Sequence, residues 1–150
     1  MNSQKIALLA DGGSSLPASV VEGHDIRVAP LRIAGGYDGS CGDDSDELSG
    51  RLTVEMPRVL PPMPQAIRDL FDQARSDGYE GAVFVTVSSG LSATNQAVRI
   101  VASRLEDFPV IVVDSLSVGA GSGLVVMEAA RMVGEGVPLA RMRRRLDAAV

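Results

Sequence analysis

The 150-residue chain has no tryptophan, three phenylalanines and two tyrosines, and this scarcity argues against a nucleic-acid reader that stacks bases on aromatic rings. Lys5 is the only lysine among 14 basic residues, which removes most candidates for Schiff-base or lysine general-base chemistry. A single histidine, His24, and a single cysteine, Cys41, exclude metal sites built from several such ligands and exclude an intrachain disulfide. Long apolar runs are lacking too. The most apolar stretch, 109–133, is broken by Asp114, Ser115, Ser117, Ser122 and Glu128, whereas a spanning helix wants about 20 mostly apolar residues. The few apolar residues before Asp11 are too short for a signal-peptide core. The expectation is a cytoplasmic protein without a membrane span, with neither metal nor cofactor and with little catalytic equipment.

What is present is aliphatic. The hydrophobic share is 45% and the aromatic share 3%, so a core must be built from Val, Leu, Ile, Ala and Met. With a formal net charge of −5 the chain suits one acidic domain. Near-continuous apolar runs alternate with helical patterns, as in parallel strands buried on both faces. The predicted strands are 5–10, 26–33, 81–87 and 110–113, and the second contains Pro30, which cannot donate to a ladder and marks an edge or a bulge. A short helical piece follows Pro17. Residues 34–45, rich in Gly and Asp, read as a long loop. Pro64 opens a helix to Asp77 with Ile67, Leu70, Phe71 and Ala74 on its inner stripe. A further helix carries Ala97, Ile100, Val101 and Leu105 on one face. A long helix spans about 117–133, and a last one, 138–149, exposes its arginines. The predicted fold class is α/β, a mainly parallel sheet flanked by helices.

Three of these strands end in small polar turns, 11–15, 88–92 and 114–117. Ligands of open parallel sheets sit outside the carboxyl ends of the strands, so the turns are expected to converge on one crevice. Ser88-Ser89-Gly90-Leu91-Ser92 joins a strand to a helix start, where backbone N–H groups, the helix dipole and hydroxyls suit a carboxylate or phosphate. The blander reading is that one of these serines caps its own helix. Gly119-Ala120-Gly121-Ser122-Gly123-Leu124 fails the dinucleotide fingerprint because Leu124 holds the third glycine position, and no Gly-Lys-Ser or Gly-Lys-Thr phosphate loop occurs. Its glycines favour close packing of a neighbour over ligand contact. His24 reads as a solvated turn residue. Asp38, Asp43, Asp44, Asp46 and Glu47 do not fit a calcium loop and read as a solvated acidic segment, with Asp44 or Ser45 as a helix cap. Arg141, Arg143, Arg144 and Arg145 form a cluster too small for a nucleic-acid footprint.

In order, these turns resemble the DegV family over essentially the whole chain. Asp11 with Ser15-Leu16-Pro17 resembles the family's opening turn, and Val28-Ala29-Pro30-Leu31 its Val-Val-Pro-Leu. Ser88-Ser89-Gly90-Leu91-Ser92-Ala93-Thr94 resembles Ser-Ser-Gly-Leu-Ser-Gly-Thr, and Val113-Asp114-Ser115-Leu116-Ser117-Val118 the helix entry behind it. The resemblance implies a carrier, not an enzyme: a long-chain fatty acid is held with its carboxylate at the serine turn and presented to a separate fatty-acid kinase subunit. It implies Ser88, Ser89, Gly90 and Ser92 as head-group residues, with Gly12 where a serine is usual and Val59 where the family has a threonine. Met63 stands at the position of a capping serine. By this resemblance 1–150 corresponds to the family's N-terminal domain, without the C-terminal domain that covers the ligand. Two alternatives stay open. One is a structural or regulatory domain that has lost the lipid; the other is an enzyme built on a phosphorylatable His24.

Overall fold

The computed structural model describes residues 5–33 and 59–150. The acidic loop read over 34–45, with Cys41, the carboxylates from Asp38 to Glu47 and the helix cap expected at Asp44 or Ser45, lies outside the described residues.

The apolar runs form a four-stranded parallel sheet: β1 (Ile6–Asp11), β2 (Ile26–Ala29), β5 (Gly81–Thr86) and β6 (Val110–Asp114), in the order β2-β1-β5-β6. Every residue of β1 and β5 is buried, as the lack of polar alternation requires of central strands covered on both faces. The register is continuous: Leu8 pairs with Ile26 and Val83, and Val83 with Ile111. The expected strand 26–33 is in fact broken. Pro30 ends β2 at Ala29, and Arg32–Ile33 forms β3, paired antiparallel with β4 (Val59–Leu60) as a separate ribbon.

The helices are α1 (Ala18–Gly23), α2 (Pro64–Ser76), α3 (Thr94–Ala102), α4 (Ala120–Gly134) and α5 (Leu139–Ala149), with a 3-10 turn at Gly12–Ser14. One face of the sheet packs against α2 and α3 and gathers the aromatic core. Phe71 lies edge-on to Phe84 and Phe108, with ring centroids at 6.0 and 6.4 Å. The other face, under α1, α4 and α5, is aliphatic, with Met132, Met142 and Leu146 fully buried. On α5 the arginines at 141, 143, 144 and 145 are exposed, as expected. The stripe expected on α2 is present, with Ile67, Phe71 and Ala74 buried and Leu70 packed against them.

On α3 the inner face is Thr94, Asn95, Val98 and Val101. Ile100 is 47% exposed, and the helix ends before Leu105. Of the expected face Val101 is buried and Ala97 and Leu105 pack against the core, whereas Ile100 is turned outward; beside them Arg99 reaches back to Asn95 and to the carbonyl of Val112 on β6, at 2.8 and 3.3 Å. Helix α4 starts at Ala120, not Ser117, because Ser117 is held in an irregular turn by the Ser88 N–H at 2.7 Å.

The chain passes from β1 through α1 to β2 on one side of β1, then returns through α2 to β5 on the other. The strand order reverses between β1 and β5, and the carboxyl ends of these two strands flank the crevice that open α/β sheets use for ligands.

Candidate functional site

The three polar turns do meet at this edge. Gly119 N–H donates to the Gly13 carbonyl at 2.8 Å, tying the start of α4 to the turn after β1, and the Ser14 and Ser122 hydroxyls lie 3.1 Å apart in the same buried seam. A Cβ on Gly123 would stand 2.7 Å from the Ser14 carbonyl oxygen, and one on Gly121 would collide with the Ser117 hydroxyl. Both glycines therefore serve close packing, Gly123 against the 3-10 turn and Gly121 against Ser117. Gly119 itself has φ +60° and lies just before the helix.

In the serine turn, Leu91 and Ser92 N–H groups donate to the Ser88 carbonyl, and Gly90 N–H donates to Ser88 Oγ at 3.2 Å. Ser92 Oγ accepts from Thr94 N–H at 3.2 Å, so one of the three serines does serve the helix start. It also lies 2.8 Å from Thr94 Oγ1. Ser89 N–H points to Asp114, at 3.1 and 3.3 Å from its two carboxylate oxygens, and Leu116 N–H reaches the same carboxylate at 3.0 Å. Partial burial pushes the Asp114 pKa up, but hydrogen bonds from Ser89 and Leu116 and the Arg99 charge outweigh it and hold the group below the usual value.

Gly12 sits at the rim, where a Cβ would approach the Ala29 carbonyl and the Leu31 N–H at 3.1 Å. Val59, 62% exposed, lies on the ribbon that continues from Leu31, paired with Ile33. Gly12 and Val59 thus belong to the flank below β2. Among the described residues no hydrogen bond joins them to Ser88, Ser89 or Ser92. His24 is exposed in the turn before β2, at the opposite, amino end of the sheet from the serine turn.

Sequence reasoning did not single out Asp11 as a site residue. It ends the central strand β1, is 1% exposed, and accepts from Gly13 N–H through Oδ1 at 2.7 Å. Among the described residues its Oδ2 has no hydrogen-bond partner. Burial raises its pKa; the Gly13 N–H, then Thr94 and Val87, oppose that shift without cancelling it. An aspartate closing an otherwise apolar strand was the available signal.

Helices α2, α3 and α4 are the helices of eight or more residues that open on this edge. None has a side-chain cap at its N-cap residue, and none has an acidic residue in its first turn. The cap residue of α2 is Met63, as the sequence led one to expect. Around the same edge Leu91 is 69% and Leu124 72% exposed, with Leu116 and Val118 also open. Among the described residues no group of three or more His, Cys, Asp or Glu gathers to hold a metal ion, and no helix is long and apolar enough to cross a membrane.

A family model described as "Uncharacterised protein, DegV family" matches residues 5–150. A DegV domain-containing protein of Clostridium acetobutylicum is 30% identical over 138 residues, which is 89% of this chain and 49% of that protein. Another, of Mycobacterium bovis, is 31% identical over 147 residues, 97% of this chain and 51% of that protein. The chain spans about half the length of the curated relatives it matches. Among solved structures, a Thermotoga maritima protein described as revealing a fatty acid binding function superposes with a TM-score of 0.87 at 22% identity, covering 97% of this chain and 55% of that one. DegV of Bacillus subtilis, described as a fatty acid binding protein, gives 0.86 at 20% identity, covering 97% and 54%. These likenesses establish the fold.

Proposed function

The chain belongs to the DegV family, and from that premise we propose that it holds a long-chain fatty acid, its carboxylate at Ser88, Ser89, Gly90 and Ser92, with Gly12 and Val59 on the flank. The observation that carries the reading is the set of N-termini of α2, α3 and α4, whose N-cap residues make no side-chain hydrogen bond and which present backbone donors and the positive ends of three dipoles to one edge. The exposed apolar side chains of Leu91, Leu116, Val118 and Leu124 beside these donors suit an acyl tail, at about 0.8 kcal/mol per buried CH₂. Several of the similar structures are described as fatty-acid-binding proteins, and one from Eubacterium ventriosum as binding stearic acid. By its family resemblance its part is that of a carrier. The carboxylate is presented at the rim to a separate kinase subunit, and phosphoryl transfer is that partner's chemistry.

Native mass spectrometry of the protein taken from cells is expected to show one bound fatty acid. A protein that is consistently lipid-free and takes up none on titration would sink the proposal. The second reading, a structural or regulatory domain that has lost the lipid, is favoured by one residue: Val59 cannot donate to a carboxylate where a threonine would. Restoring the hydroxyl with Val59→Thr separates the two, since it tightens binding only in a carrier.

A further inference from the structure

The backbone of the serine turn is already committed. Ser88 N–H donates to the Ser117 carbonyl at 2.7 Å, and the Leu91 and Ser92 N–H groups donate to the Ser88 carbonyl at 2.9 and 3.0 Å. Gly90 N–H donates to Ser88 Oγ, and Ser89 N–H to the Asp114 carboxylate. A loop that cradles a phosphate does so through backbone N–H groups left free to point at it. From Ser88 to Ser92 every such group donates within the protein. Backbone donors for an anion must therefore come from the neighbouring helix starts, and the turn itself contributes hydroxyls. Ser88 Oγ and Ser92 Oγ each accept from a backbone N–H, that of Gly90 and that of Thr94, which fixes both oxygens and leaves the Ser88 proton to give.

Asp114, the last residue of β6, joins this turn to the next. Its Oδ1 accepts both from Ser89 N–H at 3.1 Å and from Leu116 N–H at 3.0 Å, so one carboxylate oxygen ties 88–92 to 114–117. Burial opposes its charge, but the bonds from Ser89 and Leu116 and the Arg99 guanidinium outweigh burial, and the group stays ionised at neutral pH. Arg99, the other charge nearby, is itself engaged by Asn95 and by the Val112 carbonyl. A fixed negative charge thus stands one N–H away from the residues proposed to hold a carboxylate, and like charges repel.

We infer that Asp114 is a positioning residue that fixes the serine turn through Ser89 N–H, so that the turn meets its ligand through hydroxyls, and that its charge sets how loosely a carboxylate is held there. This rests on the proposed reading of the serine turn as the head-group site. The two effects are separable because both N–H groups reach the same oxygen. Asparagine keeps an acceptor at that position and gives up the charge alone, whereas alanine gives up both.

The test is calorimetric titration of the intact chain, as wild type, Asp114→Asn and Asp114→Ala, with myristate and with its uncharged methyl ester. Asp114→Asn should bind the ester as the wild type does and myristate roughly threefold to tenfold more tightly, a gain that shrinks as salt is added. Asp114→Ala should bind both probes about tenfold more weakly than Asp114→Asn, because the turn is released whatever charge the head group carries. A merely structural aspartate would shift both probes by one factor in each variant. Asp114→Val, whose shape suits the end of a strand, replaces the alanine variant if that fails to fold. Myristate held no more tightly by Asp114→Asn than by the wild type, or the ester held equally by the asparagine variant and the variant without an acceptor, would overturn the inference and leave the carrier reading standing. A wild type that binds neither probe would overturn both.

Discussion

At the amino end of the sheet polar groups find one another; at the carboxyl end several do not. The amino end is closed by Arg27, which pairs with Asp77 at 2.6 Å and stacks over the Tyr79 ring at 5.2 Å, while Tyr79 donates to Asp25 at 2.5 Å. The Asp25 hydrogen bond, with lesser burial and charge effects, pushes the Tyr79 pKa above its usual value. The carboxyl end has a buried carboxylate oxygen without a partner among the described residues, three helices whose N-cap residues make no side-chain hydrogen bond, and Leu116 in a left-handed conformation at φ +49° with its side chain open to solvent. Bulky residues rarely adopt that backbone, and local strain tends to collect where a site is built. One sheet thus ends in a sealed edge and in an edge held ready for something else.

Four substitutions sharpen or break that contrast. Phe71→Ala removes the ring on which Phe84 and Phe108 lean and should cost about 3–5 kcal/mol in urea unfolding, because the aromatic core lies beneath both ends alike. Gly123→Ala acts at the carboxyl end alone. It drives a methyl against the Ser14 carbonyl, so a loss of about 1–3 kcal/mol is expected, together with weaker palmitate binding as the turn after β1 is pushed from α4. Arg27→Ala unseals the amino end, costing about 1–2 kcal/mol from the ion pair and the ring contact, with palmitate affinity unchanged. An affinity loss here would show that the ends are not independent. The smallest effect is a gain: Gly134→Ala, at the amino-end terminus of the same α4, meets nothing within 4 Å and should raise the thermal midpoint, by up to about 1 kcal/mol of stability. The two glycine variants on one helix then differ in sign.

Much of the sealed architecture was legible from the sequence. Apolar runs marked β1, β5 and β6, and Pro64 with the stripe Ile67, Phe71 and Ala74 marked α2, because burial on one helical face leaves a period that a single sequence carries. The convergence of the three turns followed from strand direction alone. What escaped depends on contacts between segments far apart in the chain. Ile100 matched the helical period as well as Val98 did, and only the packing of α3 against the sheet, which buries Val98 and leaves Ile100 47% exposed, separates them. Asp11 looked like a turn residue because nothing local reveals that α3 and the 3-10 turn cover it. The extended run through Pro30 hid the change of sheet between Ala29 and Arg32, which is fixed by the pairing of Ile33 with Val59.

Arg99 has one more effect, which concerns the company the protein keeps in a crowded solution. Strand β6 is an outer strand of the sheet among the described residues, and its Val110-Ile111-Val112-Val113 is uncharged and branched, the composition that recruits foreign strands into fibrous stacks. The guanidinium lying on the Val112 carbonyl occupies one of the acceptors such a strand would use. The side chain that ties α3 to β6 therefore also leaves one acceptor fewer for a foreign strand to pair with.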